Sequence, residues 1–122
     1  MSDSVEKRDV NVDEKLEQLT QAVVEAVEDK KAQDILVLDV RGRCSFTDRF
    51  VLATGRTDRQ LKAVAQSVVE TAHKNGLTAK IEGLEATEWL LIDIGDVVVH
   101  LFLPEVRADF QFERLWARPD GE

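Results

Sequence analysis

The turn at residues 54–60 combines a glycine with two arginines, Arg56 and Arg59. Backbone N–H groups at a helix start, together with guanidinium groups, can hold a phosphate, and Gly55 would let an anion approach the backbone closely. The turn lacks the Lys-Ser/Thr pair and the second glycine of a P-loop. Gly55, Arg56 and Arg59 are therefore candidates for an anion contact. The alternative is a capped strand-to-helix turn with solvent-facing arginines.

Three aspartates, Asp39, Asp93 and Asp96, form a second candidate site with His100. Strand alternation puts Asp93 on the same face as Trp89, and Asp93 would neighbour Asp39 if their strands pair. Two carboxylates and an imidazole could hold a divalent ion, as in a metal-dependent nucleotidyl- or phosphoryl-transfer enzyme. In the plainer interpretation, Asp96 is a turn residue and His100 satisfies its hydrogen bonds locally.

A third candidate is a surface formed where a loop enters an apolar strand. A tryptophan flanked by acids has the composition of an interface anchor with a charged rim. Core packing is the alternative for the tryptophan. The residues of this candidate surface are Glu82, Gly83, Glu85, Glu88, Trp89 and Leu90.

Conventional nucleophile sites are missing from the sequence. It contains no Gly-x-Ser-x-Gly, Cys-x-x-Cys or His-Glu-x-x-His pattern. Cys44 lies in a polar turn without a histidine close in sequence, and His73 lies near the end of a predicted helix. We therefore predict no catalytic residue, no metal and no cofactor.

Length and composition indicate one globular domain. The chain has 122 residues, 43% of them apolar, which is enough for a single core. No apolar run approaches a membrane span, and residues 1–11 are polar. The single cysteine cannot form an internal disulfide. We therefore expect a soluble cytoplasmic protein with no membrane partner.

Charge is unevenly distributed along the chain. Residues 1–40 carry a net charge of −6 and residues 85–122 carry −6, whereas residues 41–62 carry +4. A protein that mainly grips phosphate backbones needs a basic stripe, which only the middle segment offers. The acidic C-terminal third would attract a basic protein instead. The sequence therefore argues against a primary nucleic-acid binder.

The elements that must position these residues follow the order α-β-β-α-β-β-β-α. Asn11 and Glu14 have capping-box spacing at the start of an amphipathic helix, and Gly95-Asp96 between two apolar runs indicates a hairpin. This order predicts one α/β domain, a mixed sheet of about five strands flanked by helices. We expect a disordered acidic tail at residues 1–10, the domain at 11–118 and a disordered C-terminus at 119–122. The predicted strands are Ile35–Val40, Phe50–Thr54, Thr78–Glu82, Trp89–Ile94 and Val97–Leu103. Thr57 caps the second helix and Pro104 opens a short third one.

Several sequence blocks occur together: DRFVLATG at 48–55, RQ at 59–60, EG at 82–83, WL at 89–90, DIGDVVVH at 93–100, Arg107, and LW at 115–116. In this combination the chain resembles the ribosomal silencing factor (Iojap-like) family, from about the first helix to Trp116. Thr57 stands where many members have Ser, and both residues can cap a helix.

The resemblance implies a domain related in fold to nucleotidyltransferases but without their catalytic motif. That motif needs a Gly-Ser turn and an Asp-x-Asp pair. Here Arg56 follows Gly55, and two residues separate Asp93 from Asp96. The family binds ribosomal protein L-fourteen on the intersubunit face of the large ribosomal subunit. It thereby blocks joining to the small subunit and represses translation under nutrient limitation.

The resemblance also implies which residues meet the partner. Trp89 and Leu90 would be the anchor, and the neighbouring glutamates would be rim charges toward lysine or arginine. The basic middle segment would make a minor contact with ribosomal RNA. The oligomeric state is left open between monomer and homodimer. The patch would be extended by Pro104, Glu105 and Arg107, and the RNA contact would use Arg41, Arg43, Arg56 and Arg59.

Overall fold

The computed structural model describes the backbone of residues 2–42, 47–83 and 88–110, and the side chains of residues 14–42, 47–83 and 88–107. Within this part of the chain the element order confirms the predicted α-β-β-α-β-β-β-α arrangement. The elements are α1 (Ser2–Asp29), β1 (Gln33–Asp39), β2 (Arg49–Thr54), α2 (Asp58–Lys74), β3 (Lys80–Glu82), β4 (Trp89–Asp93), β5 (Val97–Phe102) and α3 (Pro104–Phe110).

The five strands form one mixed sheet in the order β1-β2-β5-β4-β3. β2 and β5 run parallel at its centre, and the other three neighbouring pairs are antiparallel. A parallel pair needs a long crossover connection, which α2, β3 and β4 supply. The predicted α/β class and mixed sheet are therefore confirmed.

The predicted hairpin joins β4 to β5. Gly95 has a φ of +106°, a conformation that residues with a Cβ rarely adopt. Its N–H donates to the Asp93 carboxylate at 2.9 Å, and the Ile94 N–H donates to the Val97 carbonyl at 3.0 Å. Asp93 therefore acts as a turn residue here.

The main core lies between one face of the sheet and the two long helices. The helical stripes predicted from the sequence are buried as expected: Leu16, Leu19, Val23, Ala26 and Val27 in α1, and Leu61, Val64, Ala65, Val68 and Ala72 in α2. They pack against alternate residues of the three central strands. We call this the helix side of the sheet.

The opposite face carries a second, aromatic-rich cluster. Its buried members are Leu38, Val40, Phe50, Leu52, Val98 and Phe102, with Leu36, Trp89, Leu91 and Val106 partly buried around them. Val106 belongs to α3, which follows β5 directly. Both faces of β5 are buried, as expected for a run that is apolar on nearly every residue.

The predicted start of the first helix is wrong. We expected a disordered tail at residues 1–10, but α1 begins at Ser2. The segment contains no glycine or proline to stop a helix, and Asp3 and Glu6 lie near its N-terminus, where acids favour helix formation. The domain boundary at residue 11 remains a prediction.

Candidate functional site

Trp89 is the centre of the candidate surface. It begins β4 and is half-buried on the face opposite the two long helices, α1 and α2. Its register partner on β5 is Phe102, and the two ring centroids lie 5.2 Å apart with a 38° tilt. One part of the indole packs on the aromatic cluster while the rest remains accessible. Trp89 therefore packs in the core and is also partly accessible to a partner, the two roles that the sequence left as alternatives.

His100 lies next to Trp89 on β5. The Trp89 Nε1–H donates to the His100 Nδ1 at 3.3 Å. His100 is 4% exposed, and its ring meets Phe50 edge-on at 4.8 Å. Burial penalises the imidazolium and lowers the pKa of His100 to about 4. At neutral pH His100 is therefore an uncharged acceptor for the indole.

Three exposed glutamates lie on segments next to this aromatic group. Glu82 lies opposite Leu91 in the β3–β4 pair, so both point to the same face as Trp89. Glu88 precedes Trp89, and its carbonyl accepts the Leu103 N–H at 3.0 Å. Glu105 lies in the first turn of α3. The side chains of the three glutamates are exposed. Glu85, also predicted for this surface, lies outside the described residues.

Gly83 allows the chain to pass Trp89 closely. A Cβ on Gly83 would lie 2.4 Å from the Trp89 carbonyl oxygen, and Gly83 has a φ of +91°. Only glycine fits this close approach without displacing the start of β4. Gly83 therefore positions Trp89, whereas the sequence interpretation placed it among the partner contacts.

Leu90 does not belong to the accessible surface. It is 0% exposed and packs in the helix-side core. Successive strand residues point to opposite faces, so the neighbour of Trp89 in sequence points away from it. Leu91 is half-buried on the same face as Trp89 and takes that place. The alternation signal in the sequence was sufficient to find Leu91.

Pro104 is the first residue of α3, and Arg107 is the last residue of α3 whose side chain is described. Pro104 is exposed at the first helical position, as predicted from its lack of an N–H. Arg107 is half-buried, and its Nη1 donates to the Asp34 carbonyl at the start of β1. Arg107 therefore ties α3 to the far edge strand, a structural contact that the sequence did not suggest.

The aspartates proposed as metal ligands are not brought together. β2 and β5 lie between Asp39 and Asp93, and these residues point to opposite faces of the sheet. Asp39 pairs with Arg41 at 2.9 Å, and the hydrogen bond from the Arg41 side chain lowers the pKa of Asp39. Among the residues with described side chains, no group of three or more His, Cys, Asp or Glu could hold a metal ion. The strands of Asp39 and Asp93 do not pair, so the condition under which these two residues would be neighbours is not met.

The turn proposed for an anion contact is a capped strand-to-helix connection. Thr57 is the N-cap of α2 and accepts the Gln60 N–H at 3.1 Å. The Arg56 N–H donates to the Gln60 Oε1 at 2.7 Å, and the Gly55 N–H donates to the Phe102 carbonyl at 3.0 Å. These N–H groups are already satisfied within the protein. An anion contact at Gly55, Arg56 and Arg59 stays a prediction that depends on the two exposed arginine side chains.

None of the helices in the described part of the chain is both long and apolar enough to span a membrane.

Known proteins resemble this chain over most of its length. The family model "Ribosomal silencing factor during starvation" matches residues 13–121. A ribosomal silencing factor from Zymomonas mobilis is 39% identical over 105 residues, which cover 85% of this chain and 79% of the relative. A mouse protein, "Mitochondrial assembly of ribosomal large subunit protein 1", is 35% identical over 77% of this chain and 43% of its own length.

A solved structure shares the fold. The crystal structure of a Chromobacterium violaceum protein matches with a TM-score of 0.80 and 41% identity, covering 84% of this chain and 86% of that one. Sequence and fold therefore agree over the same region. The chain belongs to the ribosomal silencing factor family.

Proposed function

We propose that this protein binds the large ribosomal subunit through ribosomal protein L-fourteen and blocks joining of the small subunit. Translation is thereby repressed under nutrient limitation, by occupation of a surface and without a catalysed reaction. Membership of the silencing factor family supports this role. The name of the mouse relative, which refers to the ribosomal large subunit, supports the choice of subunit.

The observation that carries the proposal is the half-buried Trp89, with exposed glutamates on the neighbouring segments of the chain. We call Trp89, Leu91, Glu82, Glu88 and Glu105 the acidic aromatic surface. Interfaces draw most of their binding energy from a few aromatic or arginine anchors that lose water, with charged residues at the rim. An indole already packed on one side loses little conformational freedom when a partner covers the other side.

The charge of this region fits a basic partner. Residues 85–122 carry a net charge of −6. Complementary charge raises the association rate and discourages wrong partners more than it adds affinity. The acidic aromatic surface would therefore be attracted to a basic ribosomal protein, and the attraction would weaken with salt.

A minor RNA contact and the oligomeric state complete the proposal. Arg56 and Arg59 are exposed at the start of α2, where they could meet ribosomal RNA phosphates. Arg41 is exposed but already paired with Asp39, and Arg43 lies outside the described residues. Monomer and homodimer both remain compatible with one accessible acidic aromatic surface per chain.

Trp89→Ala tests the anchor directly. We expect it to weaken binding to large ribosomal subunits and to isolated L-fourteen by about 2 kcal/mol, roughly thirtyfold in Kd. Val37→Ala is the matched control, because Val37 is an apolar residue 38% exposed on the opposite edge strand. Circular dichroism would check that both variants fold. Equal affinity of the two variants would contradict the proposed interface.

Charge reversal tests the rim. The triple variant Glu82→Lys, Glu88→Lys and Glu105→Lys should slow association and reduce its dependence on salt. Its control reverses Glu25 and Glu28, which are exposed near the end of α1. If the control slows association as much, overall charge rather than the acidic aromatic surface guides binding.

A further inference from the structure

β1 is an edge strand of the sheet. Its only described strand neighbour is β2, because the described sheet runs β1-β2-β5-β4-β3. Residues 35–38 at its centre are apolar and uncharged, and Val37 is 38% exposed. A strand edge of this composition is a template for pairing with another chain, and natural proteins usually protect such edges.

The hydrogen-bond pattern shows which backbone groups of β1 face away from the sheet. The Val40 N–H donates to the Asp48 carbonyl at 2.9 Å, in the same register that pairs Leu38 with Phe50. In an antiparallel pair, alternate residues direct both of their backbone groups to the same neighbouring strand. Val40 and Leu38 therefore face β2, whereas the N–H and C=O of Val37 point away from β2.

The start of this edge is protected, whereas Val37 lies beyond the protection. The β1–β2 register shifts between Gln33 and Leu36, and Asp34 has a φ of +53°. The Arg107 side chain donates to the Asp34 carbonyl. An irregular register and a side chain on the backbone both discourage pairing at the start of β1. The accessible part of the edge is therefore short and apolar.

We propose that the β1 edges of two copies of this chain pair antiparallel, with the two Val37 residues opposite each other on the twofold axis. Each Val37 N–H then donates to the Val37 carbonyl of the second copy. Leu36 of one copy lies opposite Leu38 of the other. The two sheets of five strands thereby join into one continuous sheet.

The charges at the ends of the edge favour a second copy as the occupant. Asp34 lies near the start of β1 and Arg41 lies just beyond its end, and both are exposed. Antiparallel pairing around Val37 brings each Arg41 near Asp34 of the second copy. Arg41 already pairs with Asp39, and its five N–H groups allow it to serve a second carboxylate. A basic protein has no carboxylate to bind at residues 35–38.

This inference is independent of the proposed function. A twofold axis between antiparallel edge strands is perpendicular to the sheet, so both acidic aromatic surfaces lie on the same face of the joined sheet. Each copy therefore keeps its own surface for a partner. The paired segment is short, so the dimer is weak and its population depends on protein concentration.

The first test measures association of the full-length protein by sedimentation velocity over about a hundredfold range of concentration. We expect a reversible equilibrium between monomer and dimer. Val37→Lys should weaken dimerisation about tenfold or more, because it places two like charges opposite each other. Leu77→Lys is the matched control, since Leu77 is 36% exposed outside the strands, and it should dimerise as the wild type does.

The second test follows amide hydrogen exchange in the ¹⁵N-labelled wild type over the same concentrations. Exchange of the Val37 amide should slow in proportion to the monomer fraction. The Leu38 amide faces β2 and should exchange at one rate throughout.

A single monomeric species at every concentration would overturn the proposal. A dimer in which Val37 exchange does not slow, or which Val37→Lys leaves intact, would also overturn it, because the two copies would then meet through another face. Val37 protection that appears only when large ribosomal subunits are added would make a ribosomal component the occupant instead. Val37→Lys should bind large subunits as the wild type does, so failure of the dimer and failure of the proposed function give different results.

Discussion

The burial of His100 makes the stability of the protein depend on pH. Its folded pKa is lowered to about 4 by desolvation, against an ordinary value of 6.5 in the unfolded chain. Between these two values the unfolded chain binds a proton that the folded protein does not. Acidification through this range therefore favours unfolding, and the stability present above about pH 6.5 is lost progressively as the pH falls toward 4.

The size of the effect follows from the two pKa values. With a folded pKa of about 4 and an unfolded value of 6.5, we expect the free energy of unfolding to fall by about 2 kcal/mol between pH 7 and pH 5. Unpaired carboxyl groups titrate mostly below this window. The pKa of Asp39 is lowered, so its contribution to the stability of the folded protein is lost only at still lower pH. The change in this window therefore reports mainly on histidine.

Urea unfolding at a series of pH values would measure this change in the free energy of unfolding. His100→Asn keeps an acceptor for Trp89 but cannot be protonated, so its stability should be nearly constant from pH 7 to pH 5, although the smaller side chain lowers stability at every pH. The other histidine, His73, is exposed near the end of α2 and provides the control. His73→Gln should keep the wild-type decrease. A decrease of equal size in His100→Asn, or none in the wild type, would refute the assigned burial of His100.

Three further substitutions test other parts of the structure. Gly83→Ala should destabilise the protein by about 3 kcal/mol, because it adds backbone strain and a clash with the Trp89 carbonyl. Gly76→Ala, with a φ of +77° and open space around it, should cost only about 1 kcal/mol, and equal losses in thermal or urea unfolding would contradict the clash. Gln60→Ala should lower the free energy of unfolding by about 1 to 2 kcal/mol, because the Gln60 Nε2 donates to the Lys30 and Lys31 carbonyls at 3.1 and 3.0 Å. Exposed Gln21→Ala is the control, and an equal loss of stability in the two variants would show that these bonds are unimportant. Asp93→Asn should leave binding to the large subunit unchanged, because Asn can still accept the Gly95 N–H, and a complete loss of binding would make this carboxylate part of the interface.

Much of the fold could be predicted because the local signals agree with the tertiary structure. The α2 stripe, the Thr57 cap and the Gly95 turn each indicate the element that forms there. The order of strands could not be read in the same way. The parallel pairing of β2 with β5 joins residues almost fifty positions apart, such as Arg49 and Val97, and no local pattern specifies such a contact.

The errors have physical causes that differ from one another. Leu90 was assigned to the surface by its position beside Trp89 in sequence, although strand alternation turns it into the core. Asp39 and Asp93 would be neighbours only if their strands paired, and two strands separate them. The contact between Trp89 and His100 could not be predicted without the register of β4 against β5. The register depends on the length of the turn between the two strands, and it decides which residues are neighbours on one face.

The most direct test of the account is sedimentation of the purified protein with separated ribosomal subunits at moderate salt, followed by a subunit-joining assay. We expect the protein to sediment with the large subunit and not with the small one, and joined ribosomes to become fewer as its concentration rises. Trp89→Ala should restore joining at concentrations where the wild type blocks it. Sedimentation with neither subunit, or binding to the large subunit without any loss of joining, would contradict the account.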